Sequence, residues 1–310
     1  MAACCVPDRE DRVPATAQIG ATCGAAGSAR SNFVQLSACT FAMGNVFADA
    51  VAADGEGPVR RVSLEAFLIS ATTVSNREFG DFVRATRYVT DAERLGYSFV
   101  FYLQVPSERR VHNREVAKHL PWWLPLADAS WQRPEGPGSH IYERLNHPVV
   151  HVSWNDAQAY CAWADARLPT EAEWECAARG GLEGQRFPWG NDLAPNDVPR
   201  CHVWRGIFPN APDPGWRPQT IAGADGEANG YGLFNVCGNV WEWCADWFSP
   251  AYHSETPAKN PLFTGATGRR SMRGGSFLCH DSYCNRYRVA ARSSNTPDSS
   301  SSNLGFRLAR

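Results

Sequence analysis

One stretch near the C-terminus restricts the backbone more than any other: Arg273-Gly-Gly-Ser276-Phe-Leu-Cys279-His280-Asp-Ser-Tyr283-Cys284-Asn-Arg286-Tyr287-Arg288. Its two cysteines stand five positions apart. On a helix that spacing turns through about 500°, which separates the side chains by more than a third of a turn. On a strand an odd separation puts them on opposite faces. If both sulfurs are to meet, the backbone must be irregular, and Gly274-Gly275 permits that. Two thiols without a second Cys or His pair make a poor zinc site. They suit monovalent copper or a disulfide. The plain alternative is two buried small hydrophobic residues.

Composition sets the surroundings of this loop. The chain has 310 residues, ample for a large core, with 12 Trp, 26 Gly, 21 Pro and 11 Cys. Such a mixture predicts a loop-rich protein held by aromatic anchors rather than long helices. A net charge of −2 argues against a nucleic-acid partner or a basic membrane-binding surface. No apolar run reaches membrane-spanning length. The start, Met-Ala-Ala-Cys-Cys-Val-Pro-Asp-Arg-Glu-Asp-Arg, puts charges where a signal peptide needs its apolar region. With an odd number of cysteines, this predicts a cytoplasmic, reduced protein.

Residues 1–31 lack periodicity and read as a disordered tail with Cys4, Cys5 and Cys23 accessible. Its removal is expected to leave melting temperature and turnover nearly unchanged. Residues 33–43 and 61–69 alternate as two strands. Ser75 caps a helix, with Glu78 at the capping-box position. From Leu95 to His147 periodicity fails, which predicts a long excursion fastened by Trp122, Trp123 and Trp131. Residues 148–154 read as a strand and 155–163 as a helix capped by Ser153 or Asn155. Thr170 caps another helix that stops at Gly180. The acidic residues of these helix starts serve capping rather than acid–base chemistry. The whole predicts a single α+β domain over residues 32–310.

The cysteine stretch and its continuation through Asn295, Asn303 and Arg307 resemble the C-terminal signature of the formylglycine-generating enzymes of bacterial type, also called sulfatase-modifying factors. Other blocks follow in family order: Thr40-Phe-Ala-Met-Gly44, Val74-Ser-Asn-Arg-Glu-Phe79, His151-Val-Ser-Trp-Asn-Asp-Ala157, Arg167-Leu-Pro-Thr-Glu-Ala-Glu-Trp-Glu175, Phe187-Pro-Trp-Gly190 and Asn229-Gly-Tyr-Gly232. Those blocks are shared by a broader superfamily; the cysteine block is the specific one. The resemblance implies the low-secondary-structure variant of the C-type lectin-like fold. It also implies a copper- and O₂-dependent oxidase that converts the cysteine of a Cys-X-Pro/Ala-X-Arg motif in unfolded or nascent sulfatases to Cα-formylglycine.

By the same resemblance Cys279 and Cys284 hold copper(I), Ser276 and Trp241 line the active site, and Tyr283 helps orient protons. Ser98 and Asn303 meet the substrate. The family's aspartate before that serine is Tyr97 here, so Asp91 and Glu93 are the nearby acidic candidates for a substrate arginine. Asn235, Gly238, Val240 and Glu242 match a structural calcium site through two side-chain oxygens and two carbonyls. A second calcium site falls at His202, Val203 and Asp213, where imidazole is a poor ligand. Disulfide cysteines of secreted relatives correspond to Ala178, Val289 and Leu308, none of which can pair with Cys161. Two other readings compete. One is a catalytically silent module that binds sulfatases; the other is a dithiol/disulfide exchanger using Cys279 and Cys284. No compact three-histidine cluster supports an iron enzyme.

Overall fold

A computed structural model of the chain describes residues 6–9, 32–110 and 120–310. The expected accessibility of Cys4, Cys5 and Cys23 lies outside these residues. In chain order the elements are β1 (Phe33–Leu36), β2 (Cys39–Met43), β3 (Arg60–Leu64), β4 (Phe67–Ser70), α1 (Asn76–Thr86), α2 (Asp91–Leu95), β5 (Tyr97–Phe101) and α3 (Ser107–Arg110). Then follow β6 (Trp123–Ala127), α4 (Trp154–Trp163), α5 (Glu171–Arg179), β7 (Gly206–Ile207), β8 (Ala211–Pro212) and β9 (Trp241–Trp247). The last are α6 (Tyr252–Glu255), β10 (Arg270–Arg273), β11 (Ser293–Asn295) and β12 (Leu304–Gly305).

A four-stranded sheet ordered β11-β10-β9-β12 forms the centre, and four two-stranded ribbons surround it. β12 runs parallel to β9, bringing Leu304 opposite Trp241. This pairing places the chain beyond β10, which carries the cysteines, beside the C-terminal segment. Four helices start on capping boxes in which a hydroxyl takes an N–H and the third residue's carboxylate answers: Ser75/Glu78, Thr90/Glu93, Ser153/Asp156 and Thr170/Glu173. The capping reading of these carboxylates therefore holds for Ser75 and Thr170, and Ser153, not Asn155, caps α4.

Several expected strands are shorter. The run 33–43 divides at Ser37-Ala38 into β1 and β2, which pair with β4 and β3 respectively. The run 61–69 divides likewise at Glu65-Ala66. Residues 148–154 do not form a strand, because His151 takes a left-handed φ of 60° that interrupts extended pairing. The supposed excursion after Leu95 contains an antiparallel ribbon, β5 with β6, pairing Phe101 with Trp123 and Ser98 with Leu126. Both strands are apolar on both faces and carry no alternation to read.

The core holds charge as well as aromatics. Arg273, Arg288, Arg292 and Arg307 are fully buried alongside Trp174, Trp241 and Trp243. Each arginine meets a buried carboxylate. Arg292 holds Glu171 through Nε and Nη2 at 2.7 Å each, Arg288 grips Glu56 at 2.7 and 2.8 Å, and Arg307 takes Glu242 at 2.6 and 2.7 Å. Arg273 pairs with Glu175. Such pairs add little net stability but are costly to break, since one charge then remains buried alone.

Residues 6–9 depart from the expected tail. Val6 is 4% exposed and Arg9 5%, both packed on the domain. The Asn295 side-chain amide donates to the Pro7 carbonyl (3.0 Å), and Asp8 meets Arg269 at 2.9 Å.

Candidate active site

The loop after β10 turns on two left-handed glycines, Gly274 (φ 92°) and Gly275 (φ 72°). A Cβ on Gly275 would lie 2.9 Å from the Tyr287 Cα, so a side chain there is excluded. The chain then closes a short turn, with Cys279 N–H donating to the Ser276 carbonyl at 2.9 Å. A second turn follows immediately, where the N–H groups of Tyr283, Cys284 and Asn285 converge on the His280 carbonyl at 3.0, 2.9 and 3.1 Å. This is the irregular backbone that the cysteine spacing demands.

Cys279 and Cys284 are both buried. The Ser276 N–H donates to Cys279 Sγ at 3.3 Å. Burial pushes the Tyr287 phenol above its usual range, and Asp281 and then Cys201, Cys279 and Cys284 push it further. Among the described residues, no group of three or more His, Cys, Asp or Glu is gathered to hold a metal. A pair of buried soft donors fits copper(I), and it is too few for a closed zinc site.

Ser276 is fixed from two sides. Its Oγ accepts from Asn303 Nδ2 (2.8 Å) and from the Leu278 N–H (3.3 Å), while Asn303 Oδ1 accepts from Ser301 Oγ at 2.8 Å. Trp241 joins this group through its own N–H, which donates to the Asn303 carbonyl at 2.8 Å. Its indole Nε1 is buried with no partner among the described residues. Tyr283 lies elsewhere, on an aromatic wall. Its ring stacks on Phe208 at 4.7 Å and meets Trp122 edge-on at 4.9 Å, with Trp204 beyond Phe208 at 5.2 Å. Trp204 N–H donates to the Cys279 carbonyl at 3.1 Å, which ties the wall to the loop.

Ser98 meets the 299–303 run at Ser300, in a directed chain of hydrogen bonds. His151 is buried, and burial pushes its pKa down to about 3, so the ring is neutral. Nε2 faces the Pro134 carbonyl at 2.9 Å and must donate. Nδ1 then accepts from Ser98 Oγ (2.8 Å), which accepts from Ser300 Oγ (2.8 Å), which accepts from Arg9 Nη2 (2.9 Å). Arg9 also donates to the Tyr97 carbonyl (3.1 Å) and lies 4.5 Å from the Tyr97 ring centre. An arginine is thus received by an aromatic face, a carbonyl and a hydroxyl. The acidic candidates are engaged elsewhere: Asp91 accepts from Ser153 and Asn155, and Glu93 caps α2. His151, Ser300, Asn295 and Arg269 escaped sequence reasoning as site residues; only the serine run carried any signal.

Two of the residues expected to bind calcium hold other partners in this arrangement. Glu242 is fully buried, and its carboxylate takes Arg307 on both oxygens and Trp174 Nε1 at 2.7 Å, so its charge is already balanced. Asn235 turns its amide nitrogen to the carbonyls of Gly223 (3.0 Å) and Asp225 (3.1 Å). Gly238 packs its left-handed backbone (φ 84°) against His202, and Val240 is core. At the second expected site His202 Nε2 donates to the Gln219 carbonyl at 2.7 Å, and burial lowers its pKa. Glu242→Gln is expected to cost about 3 kcal/mol by stranding Arg307. The loss in a urea titration should be the same with and without a calcium chelator. A loss seen only when calcium is present would restore the calcium site.

The chain matches the family described as Sulfatase-modifying factor enzyme 1-like domain over residues 24–310. A Thermomonospora curvata protein named "Formylglycine-generating enzyme" is 56% identical over 275 residues, covering 87% of this chain and 90% of the relative. A Bos taurus protein named "Inactive C-alpha-formylglycine-generating enzyme 2" is 45% identical over 282 residues, covering 90% and 87%. Similarity along the fold therefore does not distinguish active from inactive relatives, and the site must decide. Among solved structures, PvdO from Pseudomonas aeruginosa aligns with a TM-score of 0.62 at 23% identity, over 90% of this chain and 93% of that one. The fold is the expected α+β, low-secondary-structure variant of the C-type lectin-like fold.

Proposed function

The chain belongs to the sulfatase-modifying factor enzyme 1-like family, and from that membership we propose that it is a formylglycine-generating enzyme. Its substrate is the cysteine of a Cys-X-Pro/Ala-X-Arg segment in an unfolded or nascent sulfatase, and O₂ is the oxidant. The observation that carries this reading is the buried Cys279/Cys284 loop, whose Ser276 N–H donates to Cys279 Sγ, in a domain that receives an arginine at Tyr97 and Ser300. Cys279 and Cys284 would hold copper(I), which when bound supplies redox chemistry toward O₂.

The protein's own groups position the substrate. Both acceptor sites of Ser276 Oγ are taken by Asn303 and Leu278, so its remaining O–H is the part available to a substrate atom. Trp241 Nε1 offers a second buried donor. The wall of Trp122, Phe208 and Tyr283 is tied to the loop through Trp204, and Tyr97 with Ser300 takes the arginine. The reading includes action in a reduced cytoplasm, which the odd number of cysteines in the sequence suits. Among the described residues, no helix is long and apolar enough to cross a membrane.

The test is a Cys-X-Pro-X-Arg peptide incubated with copper-loaded protein and O₂, followed by mass analysis for the aldehyde. Ser276→Ala should retain copper binding while turnover falls by about 10²-fold, as for a lost positioned proton group. Equal loss of metal and turnover would make Ser276 structural. A binding module would retain the peptide and return it unaltered.

A further inference from the structure

The domain holds a segment of its own chain against the serine run that precedes Asn303. Val6, Pro7, Asp8 and Arg9 are each held, by burial, by Asn295, by Arg269 and by Tyr97 with Ser300. The residue preceding this docked segment is Cys5, so the sequence reads Cys5-Val6-Pro7-Asp8-Arg9. A cysteine thus stands four positions before an arginine, with a proline between them. Ser300, which receives Arg9, is followed in the chain by Ser301, and from Ser301 hydrogen bonds run to Asn303, Ser276 and Cys279. We infer that the chain is its own substrate: with Val6–Arg9 docked, Cys5 of the same chain is converted to formylglycine in cis. This rests on the oxidase reading above.

The fit is that of an exchangeable occupant. Arg9 Nε and Nη1 are buried with no partner among the described residues, an arrangement that costs binding energy and leaves the segment displaceable. Asp8 and Arg269 are partly exposed, so that ion pair is screened and weak. Docking in cis needs no tight contacts, since a tethered ligand enjoys an effective concentration of order millimolar. A client chain therefore competes with the tail for one site.

The chemistry balances with a thiol reductant as co-substrate. Dioxygen takes four electrons to become two waters, two from Cys5 at its Cβ–H and S–H bonds and two from a pair of thiols that becomes a disulfide. The resulting thioaldehyde adds one water; its carbon–sulfur bond breaks, and hydrogen sulfide leaves an aldehyde on Cβ.

The test has two arms on the full chain. In the first, copper-loaded protein is incubated with O₂ and reductant, and its N-terminal peptide is analysed by mass. Cys5 should lose sulfur and two hydrogens and gain one oxygen, at a rate independent of protein concentration. Excess Cys-X-Pro-X-Arg peptide should slow this conversion. Cys5 remaining a thiol while added peptide is converted overturns self-modification. If neither is converted, the oxidase reading itself fails and the inference falls with it.

The second arm uses metal-free protein and a Ser-Val-Pro-Asp-Arg peptide, which binds without reacting, followed by tryptophan fluorescence. Arg9→Ala should bind this peptide about tenfold more tightly than the unaltered chain, because the tethered competitor is gone. Equal affinities would mean that the tail does not occupy the site, whatever the outcome of the first arm.

Discussion

Cys279→Ser and Cys284→Ser are each expected to lower peptide conversion by orders of magnitude, and copper(I) binding with it. The physical reason is donor chemistry. A serine hydroxyl is hard and protonated at neutral pH, so it neither balances the charge of the ion nor matches its softness. Size is nearly conserved, and both positions are buried, so the fold should tolerate the exchange better than the function. The loop is shaped by Gly274, Gly275 and the turns onto Ser276 and His280, and both variants keep that backbone. Far-ultraviolet circular dichroism and the melting temperature should accordingly stay near those of the unaltered protein. If either variant keeps full copper affinity and full turnover, that sulfur is no ligand.

Glu175→Gln should produce the largest loss of stability. Glu175 is buried between two arginines, with Arg179 Nη2 at 2.7 Å and Arg273 on its other oxygen, and it also accepts the Gly44 N–H at 2.8 Å. Removing its charge strands Arg273 and Arg179 in a dry interior, at about 3–5 kcal/mol. That is a large share of the ~5–15 kcal/mol by which domains are stable. The pH dependence adds a second signature. Burial acts to raise the Glu175 pKa, but Arg179 and Arg273 outweigh it and hold the carboxyl at about 2, below its ordinary 4.5. A depressed folded pKa means that the unfolded chain binds the proton first. The stabilisation is thus complete above pH 4.5 and is lost as pH falls toward 2. Urea titrations across this window should show a steeper acid loss for the unaltered protein than for Glu175→Gln. Parallel curves would mean that the carboxyl is not held by its arginines.

How much of this was legible beforehand differs by residue. Capping chemistry is local, so Ser75/Glu78 and Thr170/Glu173 announce their helices three residues at a time. The cysteine loop is legible for a similar reason: five-residue spacing excludes regular structure, and the glycines that break it stand next to it. The ribbon of β5 and β6 is not, because both faces of Phe99, Val100 and Leu124 are covered and alternation vanishes. The arginine receptor was illegible for a deeper reason. Tyr97, Ser300 and Asn295 converge from segments some two hundred residues apart in the chain, and none carries a charge that would mark it. Glu242 is the reverse case. Its position suggested a cation ligand, whereas Arg307, 65 residues on, already satisfies it.

Residues 6–9 teach most about the tail. Apolar periodicity reports elements that pack by a face, and a four-residue peptide held by its own arginine, carbonyl and carboxylate has no face to report. The sequence therefore reads as a dispensable tail where the fold holds a ligand. Truncation should alter how client peptides bind, even where melting is untouched.

The central claim is that the cysteine pair acts through a bound metal as an oxidase rather than as an exchanger of disulfides. The direct measurement compares one preparation in two states, fully reduced metal-free protein and the same protein loaded with one equivalent of copper(I). Each is given the same Cys-X-Pro-X-Arg peptide, O₂ and reductant. Aldehyde should form at a substantial rate only in the loaded sample, and adding a copper(I) chelator should stop it. Conversion by the metal-free protein at the loaded rate would contradict the account.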